Sequence, residues 1–366
     1  LVFGPQLPIL RRLFCLVPTS EFQRMSKKDA YRVAIAGATG LVGETMLQIL
    51  AERKFPVSEL IPLASSRSVG KTIEFGGRKL PVRDLATFDF AGVDIGLFSA
   101  GGSVSGEHAP RAGAAGCVVI DNTSKFRYEA DIPLIVPEVN PQAIPQYRQR
   151  NIIANPNCST IQMVVALKPI HDAAGITRIN VATYQSVSGA GRRSVEALTR
   201  QTAQHMNSQP VETQGGAKPN AFNVVPHIDE FMENGYTKEE MKMVWETRKI
   251  LEDESIQVNP TAVRVPVFFG HSEAVHIETR RKITAREVRA LLEKAPGVTV
   301  IDEARLGGYP TAVTEGAGHD PVYVGRIRED LSCERGINLW VVADNIRKGA
   351  ALNSVQIAEV LIREYL

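Results

Sequence analysis

Apolar residues along this chain come in two textures that meet near residue 158. Before that point short, unbroken apolar runs recur at 31–36, 60–64, 94–99, 117–121, 134–136 and 152–155. Runs of this length without a polar face predict strands buried on both sides, as in a parallel sheet. Between them, 45–53 and 108–115 carry helical apolar spacing. Strands alternating with helices predict an α/β, doubly wound fold.

Beyond residue 158 the pattern is mixed. The spacing predicts a helix over 160–170 stopped near Pro169, and a long alternating strand over 178–187. Amphipathic helices follow at 191–206 and 238–252, and strands of an antiparallel or mixed sheet at 261–269 and 273–281. A short helix at 284–294, a strand at 337–342 and a helix at 350–365 complete the chain. The Pro-, Gly- and polar-rich stretch 208–220 reads as a loop.

Composition narrows the class. Of 366 residues, 44% are hydrophobic and 22% charged, ordinary for a soluble globular chain of about two domains. A formal charge of +2 supplies no field for nucleic acid or an anionic membrane, and no apolar run is long enough to span a bilayer. Cys15, Cys117, Cys158 and Cys333 are scattered, with no zinc spacing, so no metal and a reducing, cytoplasmic setting are expected. Residues 1–24 show no clear period, and Arg11 and Arg12 interrupt their apolar part. They are read as an extension outside the fold, with Met25 as the start.

Two motifs carry chemistry. Residues 37–43 read GxxGxxG after an apolar strand and before an apolar-periodic helix. Glycines there allow a tight turn and close approach to a pyrophosphate, which meets the amides at the helix start. The next strand ends in Ala64-Ser65-Ser66-Arg67-Ser68, without the acid that holds ribose hydroxyls in NAD binders. Hydroxyls and a guanidinium there predict NADP.

The second motif is Asn155-Pro156-Asn157-Cys158-Ser159-Thr160, where a strand gives way to a helix. Helix-start amides lower a cysteine pKa, so Cys158 is read as a nucleophile. Asn157 is read as an oxyanion donor, as the helix N-cap, or as both. His271 follows the strand-breaking Gly270 and is the candidate base. Arg264 lies within an apolar strand and needs an anion, which is either an internal carboxylate or a substrate carboxylate. The small residues from Tyr184 to Gly191, including Gln185, Ser188 and Gly189, leave room for a flat ring. Glu239 and Lys242 share a helical face, and Arg127 follows a strand as a possible anion ligand.

Together the segments GATGLVG, SSRS, FSAGGSVS, DNTSKFR, VPEVN, PNCSTIQM, TYQSVSGAG, EEMKM, RVPVFFGHSE, VGRIR and ADNIRKGAALNSVQIAE resemble the aspartate-β-semialdehyde dehydrogenase family, in its order, from Tyr31 to the C-terminus. The resemblance implies a Rossmann-type NADP-binding domain over 25–157, with the helix of 345–366 packed back on it, and an α+β catalytic and dimerisation domain over 158–344. It implies Cys158 as nucleophile, His271 as acid/base, and Gln185 and Asn157 beside the thiol. Arg264 would grip the substrate α-carboxylate and Glu239 its ammonium, with Arg127 and Lys242 on phosphate. Gly37, Thr39, Gly40, Leu41, Val42, Gly43, Ser65, Arg67 and Ser68 would bind NADP, with Ser188, Gly189 and Asn345 near the nicotinamide. The implied reaction is NADPH-dependent reduction of L-4-aspartyl phosphate to L-aspartate 4-semialdehyde and phosphate, by a homodimer or tetramer. An N-acetyl-γ-glutamyl-phosphate reductase would share the thiol, but its substrate lacks the ammonium for Glu239. A non-catalytic NADP sensor would not need the Cys158, Gln185, Arg264 and His271 set.

Overall fold

The computed structural model describes residues 28–211, 213 and 216–366; the expected extension at 1–24 lies outside the described residues. The first half alternates as its apolar runs predict. Strand β1 (Tyr31–Ala36) leads into helix α1 (Leu41–Glu52) and strand β2 (Val57–Ala64). A hairpin of β3 (Thr72–Phe75) and β4 (Arg78–Pro81) then turns on Gly76 and Gly77, both at positive φ, and a short β5 (Arg83–Asp84) follows. Strand β6 (Ile95–Phe98), helix α2 (Gly102–Ala114), and strands β7 (Val118–Asp121) and β8 (Ile152–Ala154) complete this unit.

The sheet runs β5-β2-β1-β6-β7-β8, with every pair parallel. The chain crosses from one side of β1 to the other, so the carboxyl ends of β1 and β6 open a crevice. The apolar run at 134–136 does not form a strand; Leu134 makes an isolated bridge to Ala154.

Helix α3 (Cys158–Ala174) leaves this sheet and packs against the next one, whose first strand is β9 (Ile176–Gln185). The predicted stop at Pro169 is wrong: the helix runs through it to Gly175, at φ 69. Ile170 and Ala174 lie in the core, and their burial, up to about 3 kcal/mol for a large aliphatic, outweighs the hydrogen bond a proline forfeits.

Helices α4 (Arg192–Met206) and α5 (Lys238–Leu251) precede β10 (Gln257–Arg264) and β11 (His271–Thr279). The first of these strands starts earlier than expected because Pro260 is harmless on a sheet edge. It also ends earlier, so residues 265–270 leave the sheet. Helix α6 (Ala285–Leu292), strands β12 (Val298–Val300), β13 (Val322–Glu329) and β14 (Gly336–Ala343), and helix α7 (Leu352–Glu364) follow. The pattern reading missed β12 and β13.

The second sheet is mixed, in the order β10-β9-β11-β14-β13-β12. Its α3-facing side shares one apolar core with the α2 side of the first sheet. On the other face of the parallel sheet, α7 joins α1, burying Leu352, Val355, Ile357 and Leu361 against β1 and β6. A wide helical turn, Arg347–Ala351, connects β14 to α7 and lies against α3.

Candidate active site

The crevice of the parallel sheet continues into a cavity of about 890 Å³ that reaches Cys158. Thr39, Gly40, Leu41 and Val42 form one wall, and Gln185, Glu239, Lys242 and Arg264 another. Gly37 sits at φ 89, where a Cβ would meet the Ser99 carbonyl oxygen at 2.6 Å. A Cβ on Gly43 would meet the Gly37 oxygen at 2.3 Å, so this glycine serves the packing of α1 under the turn. Such a bare backbone cradle at a switch point fits a dinucleotide pyrophosphate.

A second cavity of about 480 Å³ opens beside the loop, with Ser65 and Arg67 in its wall. Ser68 lies outside both walls. The strand order also brings in a carboxylate that the sequence of β2 lacks. Asp84 pairs with Ala64 across β5 and lines the same cavity, its Oδ1 accepting from the Ala86 amide at 3.1 Å.

Cys158 is the first residue of α3 because Asn157 caps the helix. Its Oδ1 accepts from the amides of Ser159 (3.0 Å) and Thr160 (3.3 Å). The Asn157 Nδ2 donates to Glu239 at 2.9 Å, and its backbone amide donates to Glu246 at 2.6 Å. Between the two readings of Asn157, the cap is the one formed.

The helix start does not govern the thiol pKa. Burial pushes Cys158 up to about 12 and Glu239 adds to this, against the opposing charges of Arg264, Arg127 and Lys242. Burial thus works against the expected thiolate, and the three cations work for it. A Cβ on Gly349 would approach the Cys158 Cβ to 2.7 Å, so only glycine fits in the turn that covers it.

Glu239 and Lys242 are not a surface pair. Glu239 is buried and accepts from Lys242 (2.9 Å), Asn157 (2.9 Å) and Gln185 (3.1 Å), which hold its carboxyl down at about 2 despite burial. Three bonds leave room for about one more on a carboxylate with four lone-pair sites. Lys242 also donates to Asp229 at 2.7 Å.

Arg127 is buried and already paired, to Glu246 (2.9 Å) and the Asn122 carbonyl (2.9 Å). Arg264 differs. Its Nη1 donates to the Ser186 carbonyl at 2.6 Å, and among the described residues no carboxylate is within ion-pair reach. Its guanidinium therefore lines the cavity beside Cys158 and Glu239 without a paired carboxylate.

His271 is fully buried, and its imidazole pKa is pushed down to about 3, first by burial and then by the Arg264 charge. Its Nδ1 accepts from the Ser186 amide at 3.1 Å and lies 3.0 Å from the Ser186 hydroxyl. That amide can only donate, so the neutral ring carries its proton on Nε2, which has no partner among the described residues. Gly189 stands in front: a Cβ there would lie 3.3 Å from both His271 Nε2 and Arg264 Nη1. Asn345 Oδ1 ties this corner together, accepting from Ser186 (3.0 Å), Ser188 (3.2 Å) and the Gly270 amide (3.0 Å).

Sequence reasoning missed Ser186, Glu246, Asp229 and Gly349. A signal existed for Glu246, which lies one turn beyond Lys242 and two beyond Glu239 on α5. Among the described residues no group of His, Cys, Asp and Glu side chains is placed to hold a metal ion, and no helix is long and apolar enough to cross a membrane.

Residues 32–147 match the family model for the semialdehyde dehydrogenase NAD binding domain, and 167–348 that for the semialdehyde dehydrogenase dimerisation domain. The aspartate-semialdehyde dehydrogenase of Legionella pneumophila is 64% identical over 334 residues, 91% of this chain and 96% of that protein. The chain belongs to the aspartate-semialdehyde dehydrogenase family. Aspartate semialdehyde dehydrogenase II of Vibrio cholerae, solved complexed with ASA, superposes with a TM-score of 0.90 at 60% identity, covering 93% of this chain and 100% of that one. A more distant member from Candida albicans, solved with NADP, gives 0.70 at 25%, covering 91% and 98%. In the terms of this oxidoreductase family, the cavity joins the two domains. Thr39–Val42 come from the first, Gln185, Glu239 and Arg264 from the second, and Cys158 from the stretch between the matched segments.

Proposed function

We propose that the chain reduces L-4-aspartyl phosphate to L-aspartate 4-semialdehyde and phosphate, with NADPH, through a thioester on Cys158, in the route to lysine, threonine and methionine. The observation that carries this reading is Cys158 opening into one cavity with both the glycine loop and the unpaired Arg264. Arg264 takes the substrate α-carboxylate bidentately, and the remaining acceptor site of Glu239 takes the α-ammonium. Lys242 and Arg127 offer positive charge to the phosphate. Gly37, Thr39, Gly40, Leu41 and Val42 would hold the pyrophosphate, and Ser65 and Arg67 the 2′-phosphate, with Ser68 set back from that cavity; Ser188, Gly189 and Asn345 would border the nicotinamide. NADP is supported by the missing acid at the end of β2 and by the Candida relative solved with it.

The sulfur attacks the acyl carbon, the bond to the phosphate oxygen breaks, and the thiol proton leaves with phosphate as the hydrogen phosphate dianion. The charges of Arg264, Arg127 and Lys242 favour the thiolate that attacks. Gln185, bonded to Ser159 and Glu239, orients the carbonyl next to the sulfur. When bound, the cofactor supplies the hydride that reduces the thioester. His271 presents its Nε2 proton to the carbonyl oxygen and exchanges protons as the hemithioacetal collapses to aldehyde and thiol. The dimerisation domain supports a homodimer, with a tetramer as the larger alternative, and the unpaired thiols of Cys117, Cys158 and Cys333 among the described residues support a cytoplasmic setting.

The test is phosphate-dependent reduction of NADP by aspartate semialdehyde. The wild type should be active, with NADP favoured over NAD by about tenfold or more in kcat/KM. Cys158→Ala should fold and bind NADP yet lose about a thousandfold or more in kcat. Normal turnover by that variant would remove the thioester, and equal use of NAD would remove the role of Arg67.

A further inference from the structure

Behind the cavity, the interface between α3 and the second sheet is polar where an apolar contact would pack as well. Glu273 and Gln162 are both 0% exposed. Among the described residues, neither carboxyl oxygen of Glu273 and neither amide heteroatom of Gln162 has a hydrogen-bond partner. Buried groups in that condition are rare and demand a reason. Gln162 is the side chain that bears on the Glu273 carboxyl, whose pKa burial pushes well above the ordinary carboxylate range. A neutral carboxyl donates one bond and a primary amide both donates and accepts, so the two are complementary, directly or through one water.

Their positions give the pair a purpose. Gln162 is one turn along α3 from Cys158, and Glu273 is two residues along β11 from His271, on the same face of the strand. Glu273 stands in register with Thr183 on β9 and Val341 on β14. The Thr183 hydroxyl accepts from Gln185 at 3.4 Å, and Gln185 also reaches Ser159 at 2.9 Å. The pair thus spans the gap between the helix that carries the thiol and the strand that carries the imidazole.

We propose that Glu273 and Gln162 are positioning residues, a polar tie that sets the first turn of α3, and with it Cys158, against the His271 end of β11. The proposal rests on the thioester reading of the site. The tie needs a neutral hydrogen-bonding group at 273, so glutamine serves there and an aliphatic side chain does not.

The full-length variants Glu273→Gln, Glu273→Leu, Gln162→Leu and the double Leu variant test this, each checked for folding by circular dichroism and for NADP binding. Glu273→Gln should keep kcat within about twofold. The Leu variants should keep KM for aspartate semialdehyde within about threefold and lose about tenfold in kcat. The double variant should lose no more than either single, because the two act as one unit. Alkylation of Cys158 by iodoacetamide, followed on its own peptide, should change rate by about threefold in the Leu variants and not in Glu273→Gln. Alkylation needs no turnover, so an inactive wild type would count against the thioester reading and leave the tie to be judged by this rate. Wild-type kcat and alkylation in the Leu variants, losses that multiply in the double variant, or a Glu273→Gln defect equal to that of Glu273→Leu would each overturn the proposal. Glu273→Met, unbranched and closer in shape, replaces Glu273→Leu if the latter does not fold and is read by the same criteria.

Discussion

At Gly189 a missing side chain keeps the site open. This glycine is not at positive φ, so alanine is allowed by its backbone. The methyl group would nonetheless stand 3.3 Å from both His271 Nε2 and Arg264 Nη1, tighter than ordinary van der Waals contact. Either the imidazole or the guanidinium must give way, and both are tethered to Ser186, one by its backbone amide, the other by its carbonyl. Gly189→Ala is expected to keep its fold and lose about tenfold or more in kcat/KM, since small displacements of reacting groups are costly. Steady-state kinetics beside a circular dichroism spectrum checks this; unchanged kcat/KM would mean that His271 does not act at the reacting carbonyl and Arg264 does not hold the α-carboxylate.

Among the elements, α3 bears the most. Its start is fixed by one side chain doing two jobs, since Asn157 caps the helix with its oxygen and holds Glu239 with its nitrogen. Asn157→Ala removes both and should cost about 1–2 kcal/mol of stability together with activity. Asn157→Ser restores a capping oxygen but no donor for Glu239, so stability should return while kcat stays low. Urea unfolding and kinetics on the two variants separate these roles; recovery of both by serine would leave the Glu239 bond without a function. What was legible in the sequence follows the same division. The parallel strands, the glycine loop and the cap at 157 were readable because each is dictated within a few residues. The passage of α3 through Pro169 was not, because the buried contacts of Ile170 and Ala174 come from distant strands. Ser186, Glu246 and Asp84 were likewise hidden, since their partners are brought together only by the sheets. The thiol pKa was misread because a helix start is local and burial is not.

Across the whole molecule, His271, Glu239 and Glu273 couple the neighbourhood of the site to folding, and that linkage should be measurable. His271 falls from 6.5 to about 3 and Glu239 from 4.5 to about 2 on folding. In both cases the unfolded chain binds more protons below its own pKa, so their contributions are full above 6.5 and 4.5 and are lost toward acid. Glu273 has the opposite sign. Its carboxyl is raised above 4.5 in the fold, so the native state keeps a proton that the unfolded chain releases. Its contribution is full below 4.5 and declines as pH rises toward the folded value. Between pH 4.5 and 6.5, His271 and Glu273 therefore pull against each other. Glu273→Gln removes one side of that balance. Relative to wild type its stability should climb with pH above 4.5 by ~1.4 kcal/mol per pH unit until the buried carboxyl ionises. Urea midpoints followed by Trp245 and Trp340 fluorescence, at pH 4.5, 5.5 and 6.5 for both proteins, give the difference directly. In the variant, stability should rise across that window under His271, with His171, also lowered by burial, adding in the same direction. A difference that stays flat would mean that Glu273 is ionised in the fold, which an unpaired carboxylate at 0% exposure could be only if a cation or a chain of water reached it.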